Sequence, residues 1–376
     1  MKYNKIGQNM VSSLGFGCMR FPVGDGKIDY PAAEALIDRA MAAGINYFDT
    51  AWFYHGGESE TFLKKALVER YPRDSFFIAD KLPAGDVQSP QAAEDERFKV
   101  QLDRCGLEYF DYYLLHGIGT WAWDHCKSTG IDKWFFDLKE RGLAKHTAFS
   151  FHDSPEALEY ILSQSPDMWA FCMFMLNYHD WTAQNAEKMY EICCNYNLPV
   201  IAMEPVRGGS LANMNEKTAE VFKTAEPDMS VASWALRFCG SLPNVVVTLS
   251  GMTTMEQLLD NINIFDNFKP FTDADRAVLK RAMEAAKALP LTGCTQCRYC
   301  TSECPLSIDI PNIFRLHDYY HTFNSPRELA EWYLKHTPEE KLADKCTGCS
   351  LCSAKCPQKL DIPMLLEKVH ATAVGL

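Results

Sequence analysis

The chain of 376 residues has no uninterrupted apolar run approaching the ~18 residues of a membrane-crossing helix, so no membrane partner is expected. Its first residues, MKYNKIGQNMVSSLG, lack the basic segment and apolar run of a secretory leader, and the chain reads as cytoplasmic. Positive charge is scarce: 37 Lys and Arg stand against 49 Asp and Glu, a formal net charge of −12. A duplex binder displaces counterions with a basic face, so nucleic acid is excluded as a partner. Low-complexity tracts are absent, and 47% hydrophobic against 23% charged residues excludes general disorder. An open doubly wound sheet wants Gly-x-Gly-x-x-Gly after its first strand, and Gly15-Phe16-Gly17-Cys18-Met19-Arg20 lacks the third glycine.

What the chain has in excess is cysteine. Of 15, eight crowd the C-terminal stretch, at Cys294, Cys297, Cys300, Cys304, Cys346, Cys349, Cys352 and Cys356, which excludes a plain single-domain enzyme. In a reducing cytosol such spacing marks metal ligands more often than disulfides. The other seven, Cys18, Cys105, Cys126, Cys172, Cys193, Cys194 and Cys239, lie on apolar segments and read as small core residues.

From about residue 12 to 265, short β-rich runs alternate with amphipathic segments of helical length. The expected strands are Ser13–Cys18, Tyr47–Asp49, Phe76–Lys81, Asp111–His116, His146–Ser150, Ala170–Leu176, Pro199–Glu204 and Val245–Ser250. Expected helices between them include Pro31–Ala43, Glu58–Glu69, Gln91–Cys105, Ser154–Leu162 and Thr254–Ile264. Eight strand–helix repeats over ~250 residues predict an α/β fold, a closed (β/α)8 TIM barrel with its active site at the C-terminal strand ends. The open doubly wound sheet is the alternative. Residues 272–288 predict one more helix, capped by Thr272 and ending before Pro290. The expected organisation is a barrel over 1–270, a linker helix over 271–290 and a small, mainly helical cysteine domain over 291–376.

That last domain is an internal repeat with a period of 52 residues. Cys294-x2-Cys297-x2-Cys300-x3-Cys304-Pro305 returns as Cys346-x2-Cys349-x2-Cys352-x3-Cys356-Pro357, and Ile308-Asp309-Ile310-Pro311 returns as Leu360-Asp361-Ile362-Pro363. This run wraps a 4Fe-4S cluster. Two zinc sites would also use eight cysteines, but zinc ligands come as separated C-x2-C pairs rather than in runs of four. The module resembles the helical two-cluster ferredoxin domains attached to larger redox enzymes. In such ferredoxins the fourth cysteine ligates the other cluster, which implies one set of Cys294, Cys297, Cys300 and Cys356, and a second of Cys346, Cys349, Cys352 and Cys304.

Four barrel residues at or just past strand ends are chemically matched: Asp49, Tyr54, Lys81 and His116. With Ile45-Asn46-Tyr47-Phe48-Asp49-Thr50-Ala51, Asp111-Tyr112-Tyr113-Leu114-Leu115-His116 and Leu249-Ser250-Gly251-Met252 around them, they resemble the aldo-keto reductase tetrad over about residues 10 to 265. The nearest likeness is to the branch with a C-terminal 4Fe-4S domain. The resemblance implies an oxidoreductase that reduces an aldehyde, ketone or quinone-like carbonyl with NADP or NAD, Tyr54 being the general acid. Lys81 would lower the tyrosine from its free value near ~10, Asp49 would hold Lys81 charged, and His116 would align the carbonyl. Because clusters move single electrons, an alternative has them feeding the barrel through bound FMN, with ferredoxin as external donor. A third reading is a non-enzymatic redox-sensing or electron-carrying subunit.

The resemblance also implies cofactor contacts at Ser150, His152, Asn177, Met203, Arg207, Gly208, Gly209, Gly251, Met252, Thr253, Gln257 and Asn261. Here the chain departs from the family: His152 and Asn177 replace its usual amides, Met203 its stacking aromatic, and Met252-Thr253-Thr254 offers no basic partner for a 2'-phosphate. Trp52, Phe53, Trp121 and Trp123 lie close to Tyr54 and His116 in sequence and are read either as rim packing or as the lining of a pocket for an apolar or ring-shaped substrate.

Overall fold

The computed structural model describes residues 1–287, 289, 291–294 and 296–376. The chain divides into two compact units, Met1–Gly208 with Ser233–Phe271, and Gly209–Ala232 with Thr272–Leu376.

The first unit is a closed parallel barrel of eight strands. In chain order they are β1 (Leu14–Gly17), β2 (Tyr47–Asp49), β3 (Phe77–Leu82), β4 (Phe110–Ile118), β5 (Ala144–Phe151), β6 (Cys172–Met175), β7 (Val200–Met203) and β8 (Val245–Ser250). A barrel strand is covered on both faces, so its apolar run is nearly continuous and easily read. Alternation still assigns the faces. Tyr112 and Leu114 of β4 enter the barrel core with Tyr47, Ala79 and Val247. Tyr113 turns outward, stacking on Phe110 and meeting Phe98 edge-on at 4.9 Å. An N-terminal hairpin, Tyr3–Ile6 paired with Asn9–Ser12, sends Ile6 and Val11 into that core.

The helices mostly follow their caps. Helix α1 (Tyr30–Ala42) starts on Asp29, α5 (Pro155–Gln164) on Ser154, and α8 (Met255–Asp266) on a reciprocal Thr254–Gln257 capping box. Between them lie α2 (Glu58–Leu63), α3 (Lys99–Cys105), α4 (Ile131–Glu140), α6 (Ala186–Asn195) and α7 (Val231–Gly240). The two long helices expected over 58–69 and 91–105 each contain a wide π turn, at Lys64–Val68 and Ala93–Phe98. A further helix, Thr120–Thr129, follows β4.

The second unit is helical. Helix α9 (Asp273–Lys287) is capped as expected, Asp275 N donating to Thr272 Oγ1 at 3.2 Å while Thr272 N donates to Asp275 Oδ2 at 2.7 Å. Its anticipated end at Ala288 and Pro290 lies outside the described residues. Helix α10 (Ile310–Phe323) and helix α11 (Ile362–Val374) both start at the repeated Ile-Pro, where proline fits a first turn. Ile313, Phe314, Leu366 and Val369 from the two helices form a core with Leu329 and Tyr333. Six of the seven scattered cysteines are buried; Cys194 is exposed on α6, correcting its reading as core.

Candidate active site and cysteine cavities

Strand register gathers the tetrad. Asp49 pairs with Ala79 and Lys81 with Leu114, so Lys81 and His116 each lie two residues beyond an inward-facing neighbour and share the interior face at the C-terminal end. Tyr54 opens a turn in which His55, Gly56 and Gly57 all take positive φ, bending the chain back over the strand ends.

Lys81 is 1% exposed and its three N–H bonds are spent: on Asp49 Oδ1 at 2.5 Å, the Thr50 carbonyl at 2.6 Å and Tyr54 Oη at 3.3 Å. Burial favours the neutral amine, yet the Asp49 carboxylate, joined by Tyr54 and Asp80, holds Lys81 above its ordinary value. Burial likewise lifts Asp49, with Lys81 opposing; its Oδ2 is buried without a hydrogen-bond partner. An ion pair this dry adds little to stability, and its retention points to chemistry. The Tyr54 phenol is raised by burial, Lys81 pulling against it, so it is a protonated donor rather than one brought toward neutrality. His116 packs edge-on to Tyr54 with ring centroids 6.2 Å apart. Burial, then the Lys81 charge, pushes it down to about 3, leaving a neutral imidazole.

Behind Lys81 lies a buried polar network that the sequence reading missed. Asp80 Oδ1 accepts from the Lys81 main-chain N–H at 2.7 Å, and Gln101 Nε2 donates to the Lys81 carbonyl at 3.1 Å and to Glu60 Oε1 at 3.0 Å. Tyr113 Oη donates to Gln101 Oε1 at 2.6 Å, and Arg104 pairs with Glu60 at 3.0 Å while lying over the Trp52 ring. Burial, then the neighbouring Glu60 charge, raises Asp80 well above its ordinary value. The one signal in the sequence is an Asp preceding Lys81 on an otherwise apolar strand. Gln101→Leu strips partners from Glu60, Tyr113 and the Lys81 carbonyl together; the expected loss is about 2–4 kcal/mol in denaturant unfolding of the barrel. A loss below about 0.5 kcal/mol would show the network to be dispensable.

The expected cofactor positions fare differently. Ser150 Oγ accepts from the Gly117 amide at 2.7 Å, tying the end of β5 to that of β4, and Asn261 donates to Ser250 Oγ at 2.9 Å, tying α8 to the end of β8. His152 is exposed just past β5, and Met203 closes β7 half-buried. Asn177 is fully committed to its own turn and to the loop after β7: its amide donates to Asp180 and the Glu204 carbonyl while its oxygen accepts from His179 N and Asp180 N. Arg207 pairs with Asp180 at 3.2 Å, and Arg207, Gly208 and Gly209 all have positive φ. Met252 is buried, Thr253 Oγ1 donates to the Arg20 carbonyl at 2.9 Å, and Gln257 is engaged in the α8 cap. Gly251 packs against the Arg20 side chain, which the sequence reading left without a role.

In the helical unit the eight cysteines line two cavities. Cys294, Cys297, Cys300 and Cys356 line one, and Cys304, Cys346, Cys349 and Cys352 the other, both partly open to solvent. The first is walled by Ile310, Phe314 and Ile362, the second by Ile308, Ile310 and Leu366. The 52-residue repeat extends to the backbone: positive φ recurs at Gln296 and Gly348, Arg298 and Ser350, and Ser307 and Lys359. Alternating left-handed residues aim amides into a concavity, a backbone arrangement suited to anionic groups. Gln296 N accordingly points at Cys294 Sγ, 3.5 Å away.

The sequence profile of the Aldo/keto reductase family matches residues 13–284, well over half the chain. The chain belongs to the aldo/keto reductase family. It is an oxidoreductase of that family with a C-terminal 4Fe-4S dicluster domain, matched over residues 293–361. An uncharacterized oxidoreductase of Bacillus subtilis, YqkF, is 26% identical over 295 residues, 70% of this chain and 90% of the relative. An aldo-keto reductase of Mycolicibacterium smegmatis is 28% identical over 65% of this chain and 80% of its own. Among solved structures, the holo form of an aldo-keto reductase from Bacillus halodurans superposes with TM-score 0.60 at 23% identity, over 75% of this chain and 96% of that one. One from Klebsiella pneumoniae in complex with NADPH gives TM-score 0.61 at 19% identity, over 74% and 94%.

In this aldo/keto reductase the aromatics separate. Trp123 is fully buried against Trp169, its indole N–H donating to Gln164, and is core rather than mouth. Trp52 lies beneath Arg97 and Arg104. Phe53 is exposed with its ring 6.4 Å from that of His116, and Trp121 is exposed and stacked on His125. Among the described residues no helix is long and apolar enough to cross a membrane.

Proposed function

We propose that the barrel reduces a carbonyl compound with NADPH or NADH, and that the C-terminal domain holds two 4Fe-4S clusters as electron-transfer centres. The observation that carries the first half is the buried Asp49–Lys81–Tyr54 chain, 2.5 and 3.3 Å between successive groups, with neutral His116 beside it. The reduced nicotinamide, when bound, supplies the hydride that reaches the carbonyl carbon. The protein supplies the proton. Tyr54 Oη gives it to the carbonyl oxygen, and the Lys81 ammonium stabilises the phenolate left behind. Asp49 keeps that ammonium charged. A ring N–H of His116 donates to the carbonyl oxygen and orients it, and Phe53 offers an apolar surface to a ring-bearing substrate. The bound cofactor of the K. pneumoniae neighbour supports a nicotinamide here as well.

Two sets of four thiols, each gathered around its own cavity with apolar walls, support a cluster on each set. A 4Fe-4S cluster supplies one-electron transfer, which suits an external carrier such as a ferredoxin. Absorption spectroscopy after anaerobic purification tests this reading: broad cluster absorbance without flavin bands is expected, and stoichiometric flavin would favour FMN as the barrel's redox group.

The pH profile tests the proton chemistry. Tyr54 must be protonated to act, and its raised value keeps it so; His116, held to about 3, does not titrate between pH 5 and 9. The tetrad therefore gives kcat no break across that window, and activity falls only as pH rises past the ordinary tyrosine range near ~10. A break near 6.5 in kcat that disappears in His116→Gln would assign the proton to histidine instead.

A further inference from the structure

Arg20 has surroundings unusual for an exposed arginine. It stands in the loop after β1, and its stem lies against Gly251, the first residue past β8: a Cβ placed there would meet Arg20 Cβ, Cγ and Cδ at 3.2 Å. Its guanidinium reaches the loop after β7, where a Cβ on Gly208 would lie 3.2 Å from Nη2. The Arg20 carbonyl accepts from Thr253 Oγ1 at 2.9 Å, fixing the loop to the turn that opens α8. Gly17 continues the surface, since a Cβ there would meet Gly251 N and the Ser250 carbonyl at 3.4 Å. Glycines where β1, β7 and β8 end thus leave main chain bare around one guanidinium. In a chain of net charge −12 an exposed arginine readily finds a carboxylate, yet among the described residues Arg20 has no side-chain hydrogen bond or ion pair.

We propose that Arg20 binds a phosphate group of the nicotinamide dinucleotide. The proposal rests on the reductase reading above. Loops after the seventh and eighth strands are where a barrel commonly receives phosphate, and glycine lets that group approach the backbone closely. Met252-Thr253-Thr254 brings no cation to this place, but β1 pairs directly with β8, so the loop after β1 delivers one from the side. A planar guanidinium matches phosphate through two parallel hydrogen bonds, which an ammonium does not. Two groups share this chemistry, the pyrophosphate common to both nucleotides and the 2'-phosphate of NADP.

Equilibrium titration of the full-length protein with NADPH and with NADH, followed by tryptophan fluorescence, tests the assignment. Arg20→Gln keeps the stem over Gly251 and removes the charge; it is expected to raise the Kd for NADPH about tenfold or more, with Arg20→Lys recovering part. Loss confined to NADPH puts the guanidinium on the 2'-phosphate, and equal loss with NADH puts it on the pyrophosphate. A wild type that binds while Arg20→Gln keeps both Kd values within about twofold overturns the assignment alone, since twofold is far below the effect of a charged hydrogen bond. A wild type that binds neither nucleotide overturns the reductase reading and this assignment with it.

Discussion

Tyr54→Phe is expected to lower kcat for carbonyl reduction by about 10²–10⁴-fold while leaving the Kd for NADPH within about twofold, the usual span for removing a positioned proton donor. The substitution deletes one oxygen and keeps the ring that packs against His116. What disappears is the one O–H that Lys81 Nζ touches, at 3.3 Å. The nascent alkoxide then takes its proton from water, and the ammonium has no phenolate to stabilise. Lys81→Met should be comparably inactive by another route, since it also strands the Asp49 carboxylate in a dry site, and its unfolding midpoint should fall as well. Single-turnover reduction measured beside nucleotide titration separates these effects. Equal turnover by wild type and Tyr54→Phe would move the proton donor elsewhere.

How legible this was depended on whether residues act through sequence neighbours or through tertiary ones. The barrel strands were readable because two covered faces demand apolar runs, and helix starts at Ser154 and Thr254 because caps act locally. The N-terminal hairpin was not, since its inward residues Ile6 and Val11 make sense only against a barrel floor built from later strands. The Thr120–Thr129 helix was not legible either: its tryptophans read equally as rim packing or pocket lining, and only the fold shows Trp123 turned onto Trp169. In the site, the tetrad was legible as residue types at strand ends. The Asp80–Glu60–Gln101 network was not, because its members are brought together from β3, α2 and α3 solely by packing. Arg20 was seen only as part of a failed glycine motif, while its surroundings come from three loops far apart in the chain.

The cysteine repeat allows a test in which sequence order and spatial order predict opposite results. If each run of four held its own cluster, Cys294 and Cys304 would be ligands of one cluster, and replacing both would spare the other. The cavities pair them otherwise: Cys356 lies with Cys294, Cys297 and Cys300, and Cys304 with Cys346, Cys349 and Cys352. Cys294→Ala with Cys356→Ala is therefore expected to leave one intact four-iron cluster, about half of the roughly eight irons that two such clusters contain. Cys294→Ala with Cys304→Ala should leave none intact, since each cavity loses one thiolate. Iron analysis with electron paramagnetic resonance of the reduced proteins reads both, the second counting intact clusters apart from three-iron remnants. The reverse pattern would show ligation within each run and end the crossed assignment. Tyr54, Lys81 and Asp49 lie outside these cavities, so a variant that keeps one cluster should also keep its NADPH-driven turnover. Loss of that turnover with the barrel still folded would instead tie the clusters to the reduction itself.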